Sequence, residues 1–300
     1  MDTKIRTVLA ATDLSRPAFA AVRRAALIAG AHGATLELLH VISESMRSAA
    51  WQDFRAAFAT VEADIRAGVD ESLDALVGQI ESEIGVRARA LTVDGKPFAE
   101  IAARGEAIEA DVIVVGAHGE NLLTPLLGTT AHRVLRYARK PVLVVKHTPP
   151  LEQTLTSDYK HVVVATDFSE DSRQAARSAR RLFPRSSITL LHVFQAPFES
   201  KLAGRITDEA LMQHRQRAFE EAHRELEFFS NAVELSAAPR VVRHGLPALR
   251  IREYAAETSA DLLVVGSEEV PRLQNALLGS VSLDLVTQAN CDVLLARTSG

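Results

Sequence analysis

The feature that most constrains this chain is an internal repeat. Val162-Val163-Val164-Ala165-Thr166-Asp167-Phe168-Ser169 echoes Val8-Leu9-Ala10-Ala11-Thr12-Asp13-Leu14-Ser15, and Leu191-His192-Val193 echoes Leu39-His40-Val41. Further on, His244-Gly245-Leu246-Pro247 matches Asp94-Gly95-Lys96-Pro97, Asp261 to Gly266 matches Asp111 to Gly116, and Leu277-Leu278-Gly279-Ser280 matches Leu126-Leu127-Gly128-Thr129. The blocks keep their order, and the offset between copies stays between 150 and 154 residues. A chance repeat does not hold register over five separated blocks, so one domain has been duplicated in tandem. Whatever fold suits one half must suit the other.

The first half reads as alternating strands and helices. Thr7 to Ala11 is a short apolar strand, stopped by Thr12-Asp13-Leu14-Ser15, whose short polar side chains favour a turn and a helix cap. Ala18, Val22, Ala25, Ala26 and Ala29 then fall at helical spacing, with Pro17 tolerated in a first turn and Gly30 or Gly33 able to end the element. A second strand runs from Thr35 to Val41. Phe58, Val61, Ile65, Val69, Leu73, Leu76 and Ile80 predict a long amphipathic helix closed by Gly85. Val86 to Val93 alternates as a third strand, and Ile101, Ala102, Gly105 and Ile108 give a third helix its packed face. The strand from Asp111, a helix opening at Gly128, and a last strand at Pro141 to Val145 complete the half. This alternation predicts an α/β fold: two tandem doubly wound domains, each a five-stranded parallel sheet flanked by helices. The domains are expected at residues 1–147 and 159–300, joined by a polar, proline-containing linker at 148–158.

Composition narrows the function classes. With 47% apolar and 24% charged residues, the 300-residue chain has ample material for two cores. A net charge of −4 and a pI near 6.2 lack the basic excess that nucleic acid or an anionic membrane demands, so neither partner is expected. The lone Cys291 cannot close an internal disulfide or build a cysteine zinc site. No apolar run approaches membrane-spanning length, nor does the N-terminus carry the apolar core of a signal peptide; the expected location is the cytoplasm.

The chemistry concentrates where strands end. Val112-Ile113-Val114-Val115 reads as a strand buried on both faces, followed by Gly116-Ala117-His118-Gly119, where glycines let backbone approach a ligand. Gly128-Thr129-Thr130 then presents a helix N-terminus with hydroxyl donors. Together these form an anion cradle, or else simply a tight strand-to-helix loop. In an open parallel sheet ligands bind outside the carboxyl ends of the strands, where Asp13 can accept hydrogen bonds from a ribose or adenine and Val41 can line the base. Asp13 can equally be a helix cap. His40 and His192 read as strand histidines satisfied by backbone carbonyls rather than metal ligands, and His118 as a phosphate donor or a solvated side chain. Arg133, Arg136, Arg139 and Lys140 read as a solvated helix face, the arginines from Arg173 to Arg185 likewise, and Phe228-Phe229 as core.

The ordered set of marks, Ala11-Thr12-Asp13-Leu14-Ser15, Leu39-His40-Val41, Gly95-Lys96-Pro97, Val114 to Gly119, Leu126 to Thr129 and Lys140 to Val145, resembles the universal stress proteins in their tandem form. In the ATP-binding branch of that family the phosphate loop is Gly-x2-Gly-x9-Gly-(Ser/Thr). The resemblance implies ATP, with or without Mg2+, as ligand, with Asp13 and Val41 at the nucleoside and Gly116, Gly119, Gly128, Thr129 and Thr130 at the phosphates. Eight residues, not nine, separate Gly119 from Gly128. The second half offers Asp167, Val193, Gly266, Gly279 and Ser280, but Glu269 stands where the second glycine belongs. A carboxylate there repels phosphate by roughly 4 kcal/mol per unit-charge pair at 4 Å and an effective dielectric of 20. That copy is expected to be degenerate for ATP.

The implied role is a stress-response regulator or sensor that binds an adenine nucleotide. Alternatives are a nucleotide-independent tandem scaffold or partner-binding module, and a weak ATP hydrolase, although no positioned base, nucleophile or acidic pair declares itself. Single-domain members of the family dimerise, so the resemblance implies an intramolecular pseudo-dimer of the two halves, with further self-association open.

Overall fold

The computed structural model describes residues 4–43, 55–118, 127–146, 159–202, 204–267 and 278–298. The predicted linker, Gly119 and Glu269 lie outside the described residues. Two compact units emerge, and the described residues of the second begin at Tyr159.

The first unit runs β1 (Thr7–Ala11), α1 (Arg16–His32), β2 (Thr35–Ser43), α2 (Arg55–Ile84), β3 (Ala88–Gly95), α3 (Pro97–Ala107), β4 (Val112–Gly116), α4 (Thr129–Tyr137) and β5 (Val142–Val145). Its strands lie in the order β3-β2-β1-β4-β5, every pairing parallel. The second unit runs β6 (His161–Thr166), α5 (Glu170–Leu182), β7 (Ser187–Phe194), a short α6 (Glu199–Leu202), α7 (Asp208–Ala232), β8 (Arg240–His244), α8 (Pro247–Glu257), β9 (Leu262–Gly266), α9 (Ser280–Gln288) and β10 (Asp292–Ala296). Its order, β8-β7-β6-β9-β10, repeats the first, again all parallel.

Local chemistry explains the boundaries. Ser15 caps α1 by accepting from the Ala18 amide at 3.4 Å, Pro17 sits in the first turn, and Gly33 ends the helix in the left-handed region at φ 61°. Gly85, at φ 72°, closes α2, whose Leu73, Leu76 and Ile80 are buried. Val8, Leu9 and Ala10 of β1 and Val112, Ile113 and Val114 of β4 have no exposed surface, as strands covered on both faces should. An aspartate before β4 and another before β9 tie neighbouring strands of the sheet: the Asp111 carboxylate accepts from the Arg6 and Thr7 amides at the start of β1, at 2.6 and 3.0 Å. Asp261 does the same for Lys160 and His161, both at 2.8 Å.

The order of strands fixes where a ligand fits. From β1 the chain moves outward through β2 and β3, then returns to place β4 on the other side of β1. Loops leaving β1 and β4 therefore diverge, opening a crevice at their carboxyl ends.

Candidate functional site

A cavity of about 540 Å³ occupies that crevice in the first unit. Its polar side comes from Thr12 and Asp13 after β1, from Gly116, Ala117 and His118 after β4, and from Gly128, Thr129 and Thr130 at the start of α4. Leu39 and Val41 of β2 and Pro97 and Ile101 of α3 supply an apolar wall. Every described member of the first predicted site, Asp13, Val41, Gly116, Gly128, Thr129 and Thr130, lines this one space. Sequence reasoning missed the α3 wall, although Pro97 directly follows the third strand's turn.

Asp13 is held by a local bend rather than serving as the helix cap. Its Oδ1 accepts from the Ser15 amide at 3.0 Å, Leu14 takes φ 62°, and the Leu14 amide donates to Thr12 Oγ1 at 3.0 Å. That bend moves the cap on to Ser15 and leaves the Asp13 side chain exposed at the cavity. Beneath it, His40 Nδ1 lies 3.0 Å from the Thr12 carbonyl oxygen, the backbone partner expected of a strand histidine. Among the described residues no group of three or more His, Cys, Asp or Glu is placed to hold a metal ion.

The end of the cavity at the start of α4 has the properties of an anion cradle. Gly128 is the N-cap of α4 and provides no side-chain cap, whereas α1, α5 and α7 are capped by Ser15, Ser169 and Thr207. The first amides of α4 thus lack the side-chain acceptor that those helices have, and no acidic residue sits in the first turn to compete with an anion. A Cβ on Gly116 would lie 3.3 Å from the His118 carbonyl oxygen, so the glycine keeps this turn tight. Arg133 and Arg136 are not among the residues that line the cavity; their guanidinium groups lie 5.1 Å from the Phe98 ring centre and 5.9 Å from that of Tyr137.

The second unit brings Asp167, Val193, Gly266, Gly279 and Ser280 to the equivalent strand ends and helix start, but packs them differently. A Cβ on Gly266 would fall 2.6 Å from Asp171 C and Ser172 N, so the first turn of α5 lies directly against the end of β9. Ser172, where the first unit has Ala18, joins Thr166 Oγ1 at 2.9 Å; Ser282, where the first unit has Ala131, donates to the Gly266 carbonyl at 2.9 Å. Asp167 Oδ1 accepts from both the amide and the hydroxyl of Ser169, at 3.1 and 2.6 Å. The Phe168 ring stacks on His192 with centres 4.3 Å apart. Burial lowers the His192 pKa, opposed by its hydrogen bond to the Thr166 carbonyl and by Asp167, so the ring is held neutral with Nδ1 donating at 2.8 Å.

Phe229 is core at 1% exposure, but Phe228 is 67% exposed, since neighbours on a helix face different ways. On α5, Arg173 and Arg177 pair with Glu170 and Arg180 with Glu234.

Comparison with known proteins decides the family. The family description "Universal stress protein family" matches residues 4–146 and again 158–297. The chain belongs to the universal stress protein family. As a tandem universal stress protein it is 28% identical over 302 residues to one from Mycolicibacterium smegmatis, covering 97% of this chain and 96% of that one. Universal stress protein A homolog 1 of Coxiella burnetii is 31% identical over 140 residues, 46% of this chain and 94% of its own. Among solved structures, a universal stress protein from Archaeoglobus fulgidus shares the fold with a TM-score of 0.68 at 20% identity, covering 98% of each chain. No helix among the described residues is long and apolar enough to cross a membrane.

Proposed function

We propose that this universal stress protein binds ATP or a related adenine nucleotide through its first unit, one per chain, and acts as a stress-response regulator or sensor through that binding. The observation that carries the reading is the convergence of Asp13, Val41, Gly116, Gly128, Thr129 and Thr130 on one cavity at the strand ends. A volume of about 540 Å³ falls within the range of small-molecule sites. Asp13 would accept from the nucleoside, Val41 and the α3 wall would cover the base, and the uncapped start of α4 would meet the phosphates, with the Thr129 and Thr130 hydroxyls as further donors. In the second unit, the α5 turn against Gly266 and the Ser172 and Ser282 bonds support a copy closed to nucleotide, whatever residue stands at position 269.

Calorimetric titration with ATP tests the reading on the wild type and Gly128→Asp. Gly128 sits at φ −58°, ψ 147°, which aspartate adopts without strain, and aspartate is at least as good an N-cap as glycine. The variant thus suits the backbone and cap at this position while placing a negative charge where the phosphates would lie, and its melting temperature checks the fold. One site in the wild type, lost in Gly128→Asp, is the expected result. No binding by the wild type, together with no nucleotide released on denaturation, would favour a nucleotide-independent module.

A further inference from the structure

We propose that Glu37 and Arg104 are positioning residues for the first-unit site: their ion pair locks α3 onto β2 and thereby sets the apolar wall of the cavity. This rests on the nucleotide reading for its ligand, but the clamp itself is visible without one. Glu37 lies within β2 at 1% exposure, among residues that otherwise build the core. Arg104 Nε donates to its Oε1 at 2.5 Å and Arg104 Nη2 to its Oε2 at 2.9 Å, while Arg89 Nε on β3 reaches Oε2 at 2.7 Å. Both carboxylate oxygens are thus taken, and Arg104 engages them as a two-pronged fork that fixes orientation as well as distance.

The clamp and the cavity share one seam. Glu37, Leu39 and Val41 are alternate residues of β2 and so share one face of the sheet. Pro97, Ile101 and Arg104 fall at helical spacing and share one face of α3. At one end of the seam Glu37 meets Arg104; at the other, Leu39 and Val41 face the cavity with Pro97 and Ile101. A tilt or slide of α3 would change the width of the apolar wall, and the fork opposes both.

The duplicated unit supplies the contrast. β2 pairs Glu37 with Leu9, and at the same register β7 pairs Thr189 with Val163. Counting from the matched turns at Gly95 and Gly245, Tyr254 replaces Arg104, and Pro239 stands where Glu37's other partner, Arg89, would be. Thr189 instead lies 3.3 Å from His161 Nε2. The same fold forms without the cluster, so the fold does not require it. It occurs in the unit whose strand ends hold the cavity of about 540 Å³.

The test uses the full chain with ATP as probe, in wild type, Glu37→Gln and the double variant Glu37→Met/Arg104→Met. Replacing a buried ion pair by apolar side chains of similar size commonly restores stability, so the double variant separates stability from positioning. We expect Glu37→Gln to weaken ATP binding about tenfold. The double variant should recover the wild-type unfolding midpoint yet remain about tenfold weak, with faster backbone amide exchange in α3 and unchanged exchange in α8. Wild-type affinity in the double variant, or α3 exchange as slow as in the wild type, would overturn the proposal. If the wild type itself fails to bind ATP, the nucleotide reading falls, and the exchange comparison, which needs no ligand, still decides whether the pair holds α3.

Discussion

Gly116 and Gly266 occupy the same position in the two copies, but replacing each by alanine should have unequal consequences. At Gly266 the new methyl would sit 2.6 Å from Asp171 C and Ser172 N and 2.9 Å from the Asp171 carbonyl oxygen, all backbone atoms of α5's first turn. Relief requires the helix to withdraw. Two sets of bonds resist this: Asp171 Oδ1 accepts from the Thr298 amide and hydroxyl, both at 2.8 Å, and Ser172 Oγ joins Thr166 Oγ1 at 2.9 Å. At Gly116 the nearest atoms are the His118 carbonyl oxygen at 3.3 Å, the Pro17 oxygen at 3.7 Å and Ala18 Cα at 3.8 Å, so a small adjustment of the turn suffices. Overpacking of the first kind costs about 1–3 kcal/mol. For a unit of this size that lowers the melting temperature by roughly 3–10 °C. Gly116→Ala should cost roughly 1 kcal/mol or less, with its main effect on ligand binding. Differential scanning calorimetry of the full chain, followed by titration with ATP, measures both. Equal melting shifts for the two variants, or a larger one for Gly116→Ala, would refute the reasoning.

Two predictions concern pH. Burial alone would raise the Glu37 pKa, but the hydrogen bonds and charges of Arg104 and then Arg89 more than reverse it, leaving it below the ordinary 4.5. Its contribution to stability is therefore present above about 4.5 and lost as the pH falls through the lowered value. Urea unfolding between pH 6 and 3, at intervals of roughly one unit, should show a loss that is flatter in Glu37→Gln. His192 is shifted down chiefly by burial, so the unfolded chain takes up its proton first, and stability falls as the pH drops below the ordinary 6.5. His192→Gln should flatten the same unfolding series between roughly pH 7 and 5, and an unchanged slope would remove histidine from the account.

Much of the fold was legible because it depends on local pattern. Thr7–Ala11 forms a strand with the bounds the apolar run predicts, since a strand covered on both faces needs unbroken apolar residues and stops at the first polar turn. Where two candidates shared one chemistry, only geometry could choose. Gly33 rather than Gly30 ends α1 because it takes the left-handed conformation, and Ser15 rather than Asp13 caps it because Leu14 bends the chain first. Glu37 was illegible for a different reason. Within Thr35-Leu36-Glu37-Leu38 an isolated acid reads as the solvent side of an alternating strand, and its partners stand 52 and 67 residues away. Only the parallel register of β3 on β2 and the docking of α3 bring Arg89 and Arg104 to it.

The same distinction explains why paired motif residues say less about function than their survival suggests. Asp13 and Asp167 both accept from the amide two residues on, and His40 and His192 both meet the carbonyl of the threonine at the carboxyl end of the neighbouring strand, Thr12 just after β1 and Thr166 ending β6. Duplication preserves these bonds because each turn needs them, with or without a ligand. Beyond Glu269 in the phosphate-loop pattern, the units diverge at positions that carry no motif. Ala18 becomes Ser172, Ala131 becomes Ser282 and Glu37 becomes Thr189, exchanging small apolar lining and a fixed helix for hydroxyls that bond inward. A serine that donates to the Gly266 carbonyl ties α9 to β9 at the place where, in the first unit, Ala131 leaves the cavity wall without a polar tether. Asymmetry of function in a duplicated chain is therefore better sought in the residues lining and bracing each copy than in the Asp13/Asp167 and His40/His192 pairs, which folding alone retains.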